Sequence, residues 1–201
     1  MATNNEIKNI FLSASIPLPE RDAKYIHSAD IIAIRDAVIA LTTVVLPQHR
    51  IIWGGHPSIT PLIYYVMEKL DLNIQEHVYL YQSKFFEKFF LEDNNKFNNV
   101  ILTDIIDDDK EKSLQHMRER MLTEHNYVAA VFIGGMEGIE VEYKMFKELH
   151  PKALLLPIAS TGAATKIVFD NLDPDDEAKH ERFLKDYGYM SLFQKYLIDK
   201  I

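Results

Sequence analysis

The sequence has no cysteine and no long apolar run. With no cysteine among 201 residues, a disulfide framework, a thiolate nucleophile and a zinc–thiolate site are all excluded. No window approaches the roughly 18 continuous apolar residues of a membrane-spanning helix. The opening residues MATNNE lack the basic and apolar stretches of a signal peptide. We therefore expect a cytoplasmic protein with no membrane partner.

The chain also has no excess of positive charge. It carries 22 lysines and arginines against 30 aspartates and glutamates, a formal net charge of -8. Binding to DNA or RNA draws on clustered cations that neutralise phosphates, so we expect no nucleic-acid partner. A small anionic ligand held by backbone N–H groups remains compatible with this charge. The composition, 47% hydrophobic and 26% charged, is that of one ordinary globular domain.

Glycine is scarce and unevenly placed. The chain has seven glycines, about half the number expected from the usual share of roughly 7%. Six of them fall in three places: Gly54-Gly55, Gly134-Gly135 with Gly138, and Gly162. Glycine used this sparingly indicates positions where the backbone needs φ > 0 or approaches another group closely.

Apolar runs alternate with amphipathic segments along the chain, which predicts an α/β fold. Strands separated by helices imply right-handed crossovers and a parallel sheet covered on both faces. We predict one doubly wound, mainly parallel, Rossmann-like domain over 1–201, with a core at about 8–170 and a helical tail at 175–200. The predicted strands are 10–14, 50–53, 77–81, 100–103, 128–133 and 153–158, and the predicted helices are 29–46, 58–70, 108–125, 138–149 and 163–169.

Each glycine cluster follows a predicted strand and precedes a predicted helix. In doubly wound sheets, ligands bind outside the carboxyl ends of the strands, near the point where strand order reverses. The three loops are therefore expected to meet at one edge of the sheet and form a ligand pocket. Ser13 in the first strand and Gln82-Ser83 at the end of the third are further candidate contacts.

The first loop is Trp53-Gly54-Gly55-His56-Pro57-Ser58. Its two glycines allow a sharp turn that directs the free N–H groups of the next helix at an anion. Ser58 is either a phosphate contact or a plain N-cap, and His56 is either a hydrogen-bond donor to the ligand or a solvated side chain.

The second loop contains Gly134, Gly135, Met136, Glu137 and Gly138. It matches neither G-x-G-x-x-G nor a Walker A loop. Glu142 follows Gly138 by about one helical turn, a position suited to binding a sugar hydroxyl or to acid–base chemistry at a sugar carbon. The alternative for Glu142 is an acid that stabilises the helix dipole.

The third loop places Ser160, Thr161 and Gly162 before a short helix. Such a turn forms a nest of N–H groups with two hydroxyls in reach of a phosphate; the alternative is an ordinary capped turn. The eight histidines and the acidic run at 104–109 show no metal-ligand spacing, so we predict no metal and no cofactor.

Two aromatic groups have open assignments. The stripe Phe85, Phe86, Phe89 and Phe90 is predicted to be core or an oligomer contact, with an adenine pocket as the alternative. The tail aromatics are predicted to form a protein–protein surface, since a terminal apolar stripe needs somewhere to be buried; they are Tyr187, Tyr189, Phe193 and Tyr196.

Several segments together resemble a known superfamily. One stretch of the chain resembles the LOG proteins, the lysine decarboxylase-like phosphoribohydrolases. It consists of the helix end His116-Met117-Arg118-Glu119-Arg120-Met121, the following strand and its glycine loop. Those proteins carry an M-x-x-R-K helix end and a P-G-G-x-G-T-x-x-E loop. In this chain Ile133, Ile139 and Met121 stand where the motifs have proline, threonine and lysine, and one residue is inserted after the two adjacent glycines. The F-L-S-A-S strand, the G-G-H-P loop and the S-T-G-A-A turn resemble the wider SLOG superfamily of nucleotide-signalling and bacterial defence systems.

The resemblance implies a Rossmann-like pocket for a nucleotide or a nucleotide-derived ligand. Carried over from the LOG motif, the catalytic pair of an N-glycosidase would be Arg120 and Glu142. We favour binding or sensing of an ADP-ribose-type or NAD-derived ligand over turnover. The alternatives are a nucleotide N-glycosidase and an assembly module. A homo-oligomer and an effector protein are the expected macromolecular partners.

Overall fold

The sheet is fully parallel. The computed structural model describes residues 6–20, 23–70 and 75–201. Its six strands are ordered β4-β3-β2-β1-β5-β6, and every neighbouring pair runs parallel. The doubly wound, Rossmann-like prediction is thereby confirmed. The strands are β1 (Asn9–Ser15), β2 (Arg50–Trp53), β3 (Val78–Ser83), β4 (Val100–Thr103), β5 (Tyr127–Gly134) and β6 (Leu154–Ile158).

Helices connect these strands and cover the sheet. Helices α2 and α3 contact each other, as do α4 and α5. Because the chain steps outward in one direction from β1 to β4 and in the other from β5 to β6, right-handed crossovers place these two pairs on opposite faces. The helices are α1 (Ala23–Ile26), α2 (Ile31–Val45), α3 (Thr60–Leu70), α4 (Lys110–Thr123), α5 (Glu137–Leu149), α6 (Ala163–Asp170), α7 (Glu181–Lys185) and α8 (Tyr189–Tyr196).

Strand order reverses between β1 and β5. The two strands pair from Asn9↔Tyr127 to Ser15↔Gly134, so both end at the same level of the sheet. Around them the core is aromatic: the rings of Phe11 and Phe146 stack with centroids 5.6 Å apart. This packing fixes α5 against β1 and therefore sets where the start of α5 stands relative to the reversal point.

The C-terminal tail differs from the predicted helical tail at 175–200. Residues 175–180 are not helical, and only α7, α8 and the 3-10 turn Ile198–Lys200 follow. Tyr189 and Phe193 are 4% and 0% exposed, because α8 packs on α2. The tail aromatics thus complete the domain's own core, and only Tyr187, at 60% exposure, fits the predicted protein–protein surface. In the described ranges, no helix is long and apolar enough to cross a membrane.

Candidate functional site

A cavity of about 360 Å³ opens at the carboxyl ends of the central strands. Residues from the ends of β1, β2 and β3 form its floor, and α4 and the first turn of α5 form one wall. The segment between β3 and β4 forms another wall. The position beside the β1/β5 reversal is the usual ligand site of a doubly wound sheet, and the volume lies in the range of small-molecule sites.

A serine, a carboxylate and an arginine form a hydrogen-bonded cluster in this cavity. The Ser13 hydroxyl donates to Glu142 Oε2 at 2.5 Å, and Arg118 Nε donates to Glu142 Oε1 at 3.2 Å. The Arg118 and Glu142 side chains are 12% and 14% exposed. Three elements, β1, α4 and α5, thus converge on one carboxylate. This arrangement fixes the orientation of Glu142 and leaves its remaining lone pairs available to hydroxyl groups of a ligand.

The glycines of the second loop make this convergence possible. A Cβ on Gly138 would stand 3.1 Å from Arg118 Nη2, so the missing side chain leaves room for the guanidinium. Gly134 and Gly135 have φ of +61° and +79°, and their Cβ positions would meet Ile34 and Ile139 below 3 Å. Gly134 and Gly135 therefore set the turn into α5 and do not line the cavity, whereas Met136, Glu137 and Gly138 do.

Arg120, the predicted partner of Glu142, lies outside the cavity. Its Nε donates to Glu124 Oε1 at 2.6 Å, and Glu124 also accepts from the Tyr81 hydroxyl at 2.8 Å. Although burial acts to raise it, these hydrogen bonds hold the pKa of Glu124 below its ordinary value. Two residues earlier on α4, Arg118 projects to the cavity instead. The arginine expected from the LOG motif is thus replaced in space by Arg118.

The first loop reaches the cavity through Gly54, Gly55 and His56. Ser58 is neither an N-cap nor a lining residue: its Oγ accepts from Ile16 N–H at 3.2 Å and lies 2.8 Å from His56 Nδ1. Since Ser58 N–H also donates to His56 Nδ1 at 3.2 Å, the neutral ring carries its hydrogen on Nε2. Ser58 therefore positions His56 and ties this loop to the end of β1.

The end of β3 extends the cavity away from the charged cluster. Gln82 and Ser83 both line it, and Gly55, at φ +57°, lets Gln82 pack closely, since a Cβ there would stand 1.7 Å from Gln82 Nε2. The Ser83 hydroxyl accepts from Phe85 N–H at 3.3 Å and so starts the 3-10 segment Lys84–Phe89.

The phenylalanine stripe on this segment is not core. Phe86, Phe89 and Phe90 line the cavity, and Phe89 is 74% exposed. The prediction that these rings belong to the core is wrong, because the short 3-10 segment leaves none of the four buried. The predicted oligomer contact stays a prediction. The alternative assignment, a pocket wall, agrees with their positions.

The third loop lies at the expected edge of the sheet but does not enter the cavity. Thr161 Oγ1 accepts from Gly134 N–H at 2.9 Å and donates to Ile158 O at 2.6 Å. The Ala163 N–H is satisfied by Ser28 Oγ at 3.0 Å.

Gly162 also packs on the Ser28 main chain, because a Cβ at Gly162 would stand 1.7 Å from Ser28 O. The remaining hydroxyl of the loop, on Ser160, pairs with the Tyr189 hydroxyl at 3.1 Å. Ser160, Thr161 and Gly162 therefore support the fold and are not contacts of this cavity, since both hydroxyls are paired within the protein and none of the three residues lines it.

Sequence reasoning missed several lining residues. The LOG-type motif points to Arg120 and not to Arg118. Asn94, 7% exposed in the 3-10 segment Glu92–Lys96, belongs to no motif that would mark it as a site residue. Lys110 and Glu111 also line the cavity, from the first turn of α4. The described part of the chain holds no group of three or more His, Asp or Glu side chains arranged to bind a metal ion.

Comparison with known proteins agrees with this architecture. The crystal structure of TM1055, a structural genomics target, superposes with a TM-score of 0.64 over 97% of this chain and 100% of that chain, at 13% identity. No curated protein matches the sequence. The model of the SLOG cluster3 family matches residues 24–197, which supports a nucleotide-related function for this Rossmann-type domain. Because that match spans most of its length, the chain belongs to the SLOG cluster3 family.

Proposed function

We propose that the cavity binds a nucleotide-derived ligand of the ADP-ribose or NAD-derived type and that the domain acts as its sensor. The observation that carries this proposal is the Ser13–Glu142–Arg118 cluster standing in a cavity at the strand-order reversal. A fixed carboxylate is an acceptor for the paired hydroxyls of a ribose, and the adjacent guanidinium is a donor to phosphate oxygens.

The balance of charge in the cavity favours a ligand with few phosphates. Besides His56, its ionisable lining residues are two cations, Lys110 and Arg118, and three carboxylates, Glu111, Glu137 and Glu142. A triphosphate would meet net repulsion in such a site, whereas a ligand with ribose hydroxyls finds acceptors. This supports an ADP-ribose-type ligand over a nucleoside triphosphate.

A thermal-shift titration tests the proposal. The protein is titrated with ADP-ribose, cyclic ADP-ribose variants, AMP and NAD. A ligand at 100 times its dissociation constant adds about 2.7 kcal/mol to the free energy of unfolding. We expect at least one of these ligands to raise the melting temperature, and the Glu142→Gln variant to lose most of that rise.

The matched control is Glu148→Gln, which removes an exposed carboxylate from the same helix outside the cavity. It should retain the full shift. An absence of any shift with the wild-type protein, or equal shifts in the two glutamine variants, contradicts the proposed binding site.

The second candidate function is N-glycosidic cleavage of a nucleotide. The ion pair between Arg118 and Glu142 favours it, because the cation can hold a phosphoribose while the carboxylate takes a proton from a water molecule. The water oxygen then bonds to C1′ as the C1′–N bond breaks, and the base leaves with a proton from solvent. Incubation with nucleoside monophosphates and NAD, followed by chromatography, detects released base. Release by the wild type that is abolished in Glu142→Gln supports the enzyme; intact ligands alongside a thermal shift support the sensor.

The proposal includes a second copy of the chain and an effector protein as partners, in the cytoplasm. Large apolar side chains are exposed on two elements that contact each other, α2 and the start of α8: Ile32 is 67% and Met190 50% exposed. Light scattering on wild type and Ile32→Glu tests this part: a dimer or larger assembly that Ile32→Glu converts to monomer supports it, and a wild-type monomer contradicts it.

A further inference from the structure

The cavity has two chemically different ends. The charged cluster at β1, α4 and α5 occupies one end, and the end of β3 with the following 3-10 segments forms the other. Since β1 and β3 are separated by β2, their axes lie about 10 Å apart at the usual strand spacing. Different parts of one ligand must therefore occupy the two ends.

Two mostly buried residues at the β3 end present side-chain carboxamides to the cavity. Gln82 and Asn94 are 9% and 7% exposed and both line the cavity. Neither side-chain amide has a hydrogen-bond partner among the residues that the structure describes. Neither residue is among the described ones whose buried side-chain polar atoms lack a partner, which are Thr103 and Tyr143. The amide atoms of Gln82 and Asn94 are therefore accessible from the cavity, where they can exchange hydrogen bonds to water for hydrogen bonds to a ligand.

Aromatic rings border the same end. Four phenylalanines occur within residues 85–90, yet none of them is buried, and three line the cavity. Phe89, at 74% exposure, leaves most of its ring in contact with water. A planar aromatic group stacked on this wall would cover the rings, and base–aromatic stacking contributes about 1–3 kcal/mol per base.

We propose that this end of the cavity is an adenine-binding subsite, in which the phenylalanine wall stacks on the base and Gln82 and Asn94 read its edge. This inference rests on the proposed nucleotide function. A carboxamide offers one acceptor and two donors, which match the paired donor and acceptor of adenine N6 and N7, whereas guanine presents two acceptors at the corresponding positions and is matched by arginine or lysine. The subsite therefore selects adenine over guanine.

Isothermal titration with AMP, GMP and ribose 5-phosphate separates the two ends of the cavity. The wild type should bind AMP at least tenfold more tightly than GMP. Gln82→Met, which keeps the length of the side chain but removes the amide, should weaken AMP binding roughly tenfold to hundredfold. The same variant should leave the affinity for ribose 5-phosphate unchanged, since that probe has no base.

Phe89→Ala provides a second variant whose folding is not in question, because the ring is mostly exposed. It should weaken AMP about tenfold or more and leave ribose 5-phosphate unaffected. Its matched control is Tyr65→Ala, which removes an aromatic side chain that is 50% exposed outside the cavity and should change neither affinity.

The outcomes are distinguishable. Wild-type protein that binds AMP and GMP equally, or AMP binding that survives both Gln82→Met and Phe89→Ala, overturns the adenine subsite while leaving the proposed nucleotide site in place. Binding of none of the three probes overturns the nucleotide site, and with it the subsite. If AMP and GMP bind no more tightly than ribose 5-phosphate, the adenine subsite is rejected while the proposed nucleotide site stands.

Discussion

The loops after β2 and β6 look alike in sequence, yet the β2 loop is open to the cavity and the β6 loop is closed by protein that packs over it. Each has small residues and glycine between a strand and a helix. The β2 loop faces the cavity through Gly54 and Gly55, whereas the β6 loop is covered by the segment before α2, which places Ser28 against Gly162 and Ala163. What separates a binding loop from a structural one is thus the chain that packs over it, and not its glycine content.

The largest expected effect is on the closed loop. Gly162 has φ +71° and ψ -152°, a conformation that is essentially restricted to glycine, and an added Cβ meets main-chain atoms of Ser28 that cannot move aside. Backbone strain and overpacking together predict that Gly162→Ala lowers the free energy of unfolding by about 3 kcal/mol. Urea denaturation measures this change.

If Gly162→Ala still folds, its affinity for ADP-ribose should equal that of the wild type, because the loop does not line the cavity. A decrease of less than about 1 kcal/mol in the free energy of unfolding would show that the loop is open in solution. A selective loss of ligand binding at unchanged stability would show the same.

A smaller effect is expected from the two neighbouring arginines of α4. Removing a hydrogen bond from a charged donor costs about 1.5–3 kcal/mol, so Arg118→Ala should weaken ADP-ribose binding by roughly tenfold to hundredfold. Arg120→Ala, which breaks only an exposed pair with Glu124, should leave the affinity unchanged and lower stability by about 0.3–0.5 kcal/mol. Calorimetric titration of both variants decides which arginine belongs to the site; the reverse pattern would restore the motif-based assignment.

An acid-dependent loss of stability should come from the opposite edge of the sheet. Burial, Lys8 and His77 lower the pKa of His49, so the unfolded chain binds more protons than the folded protein once the pH falls below the ordinary value of about 6.5. Stability is therefore retained above that pH and decreases as the pH falls toward the folded-state pKa, by at most about 1.4 kcal/mol per pH unit for one group.

Urea titrations from pH 7.5 to pH 5 measure this slope. His49→Asn should reduce the dependence of the free energy of unfolding on pH. We expect His125 to account for the dependence that remains, because burial also lowers the pKa of that side chain. An identical slope in His49→Asn would remove His49 from the explanation. Neither histidine lines the cavity. The affinity of the folded protein for its ligand should therefore not change with pH in the way that stability does.

The smallest effect is expected at the open loop. A Cβ on Gly54 would lie 3.3 Å from the terminal methyl of Met117, a flexible atom that can move by a few tenths of an ångström. Gly54→Ala should therefore change the free energy of unfolding by less than about 0.5 kcal/mol, in contrast with Gly162→Ala. A loss comparable to that of Gly162→Ala would mean that the two loops are equally enclosed.

Much of the fold could be predicted because parallel strands buried on both faces are nearly continuous apolar runs. The ends of β2 and β4 agree with the predicted ranges, and α2 begins within two residues of its predicted start, where the Asp30 side chain caps it by accepting from Ala33 N–H. Glu142 was predictable for a similar reason, since helical spacing after Gly138 fixes its side of α5.

The rest depends on contacts between distant parts of the chain. Nothing local shows that Ser28 closes the loop at Gly162, because these segments are more than 130 residues apart, as in the bond from Ala163 to Ser28 with a separation of 135. The choice between Arg118 and Arg120 depends on the rotation of α4 about its axis, which its charged, weakly patterned sequence does not define. The buried state of Gln82 and Asn94 likewise follows from the cover that the 3-10 segments provide.

Hydrogen exchange with and without ADP-ribose tests the central claim most directly, because it reports on both kinds of loop in one experiment. The ligand should slow exchange of amides at 54–56, 82–90 and 136–142, and leave those at 160–163 unchanged. Protection confined to 160–163, with none at the first three segments, would contradict the account and place the binding site on the closed half of the sheet edge.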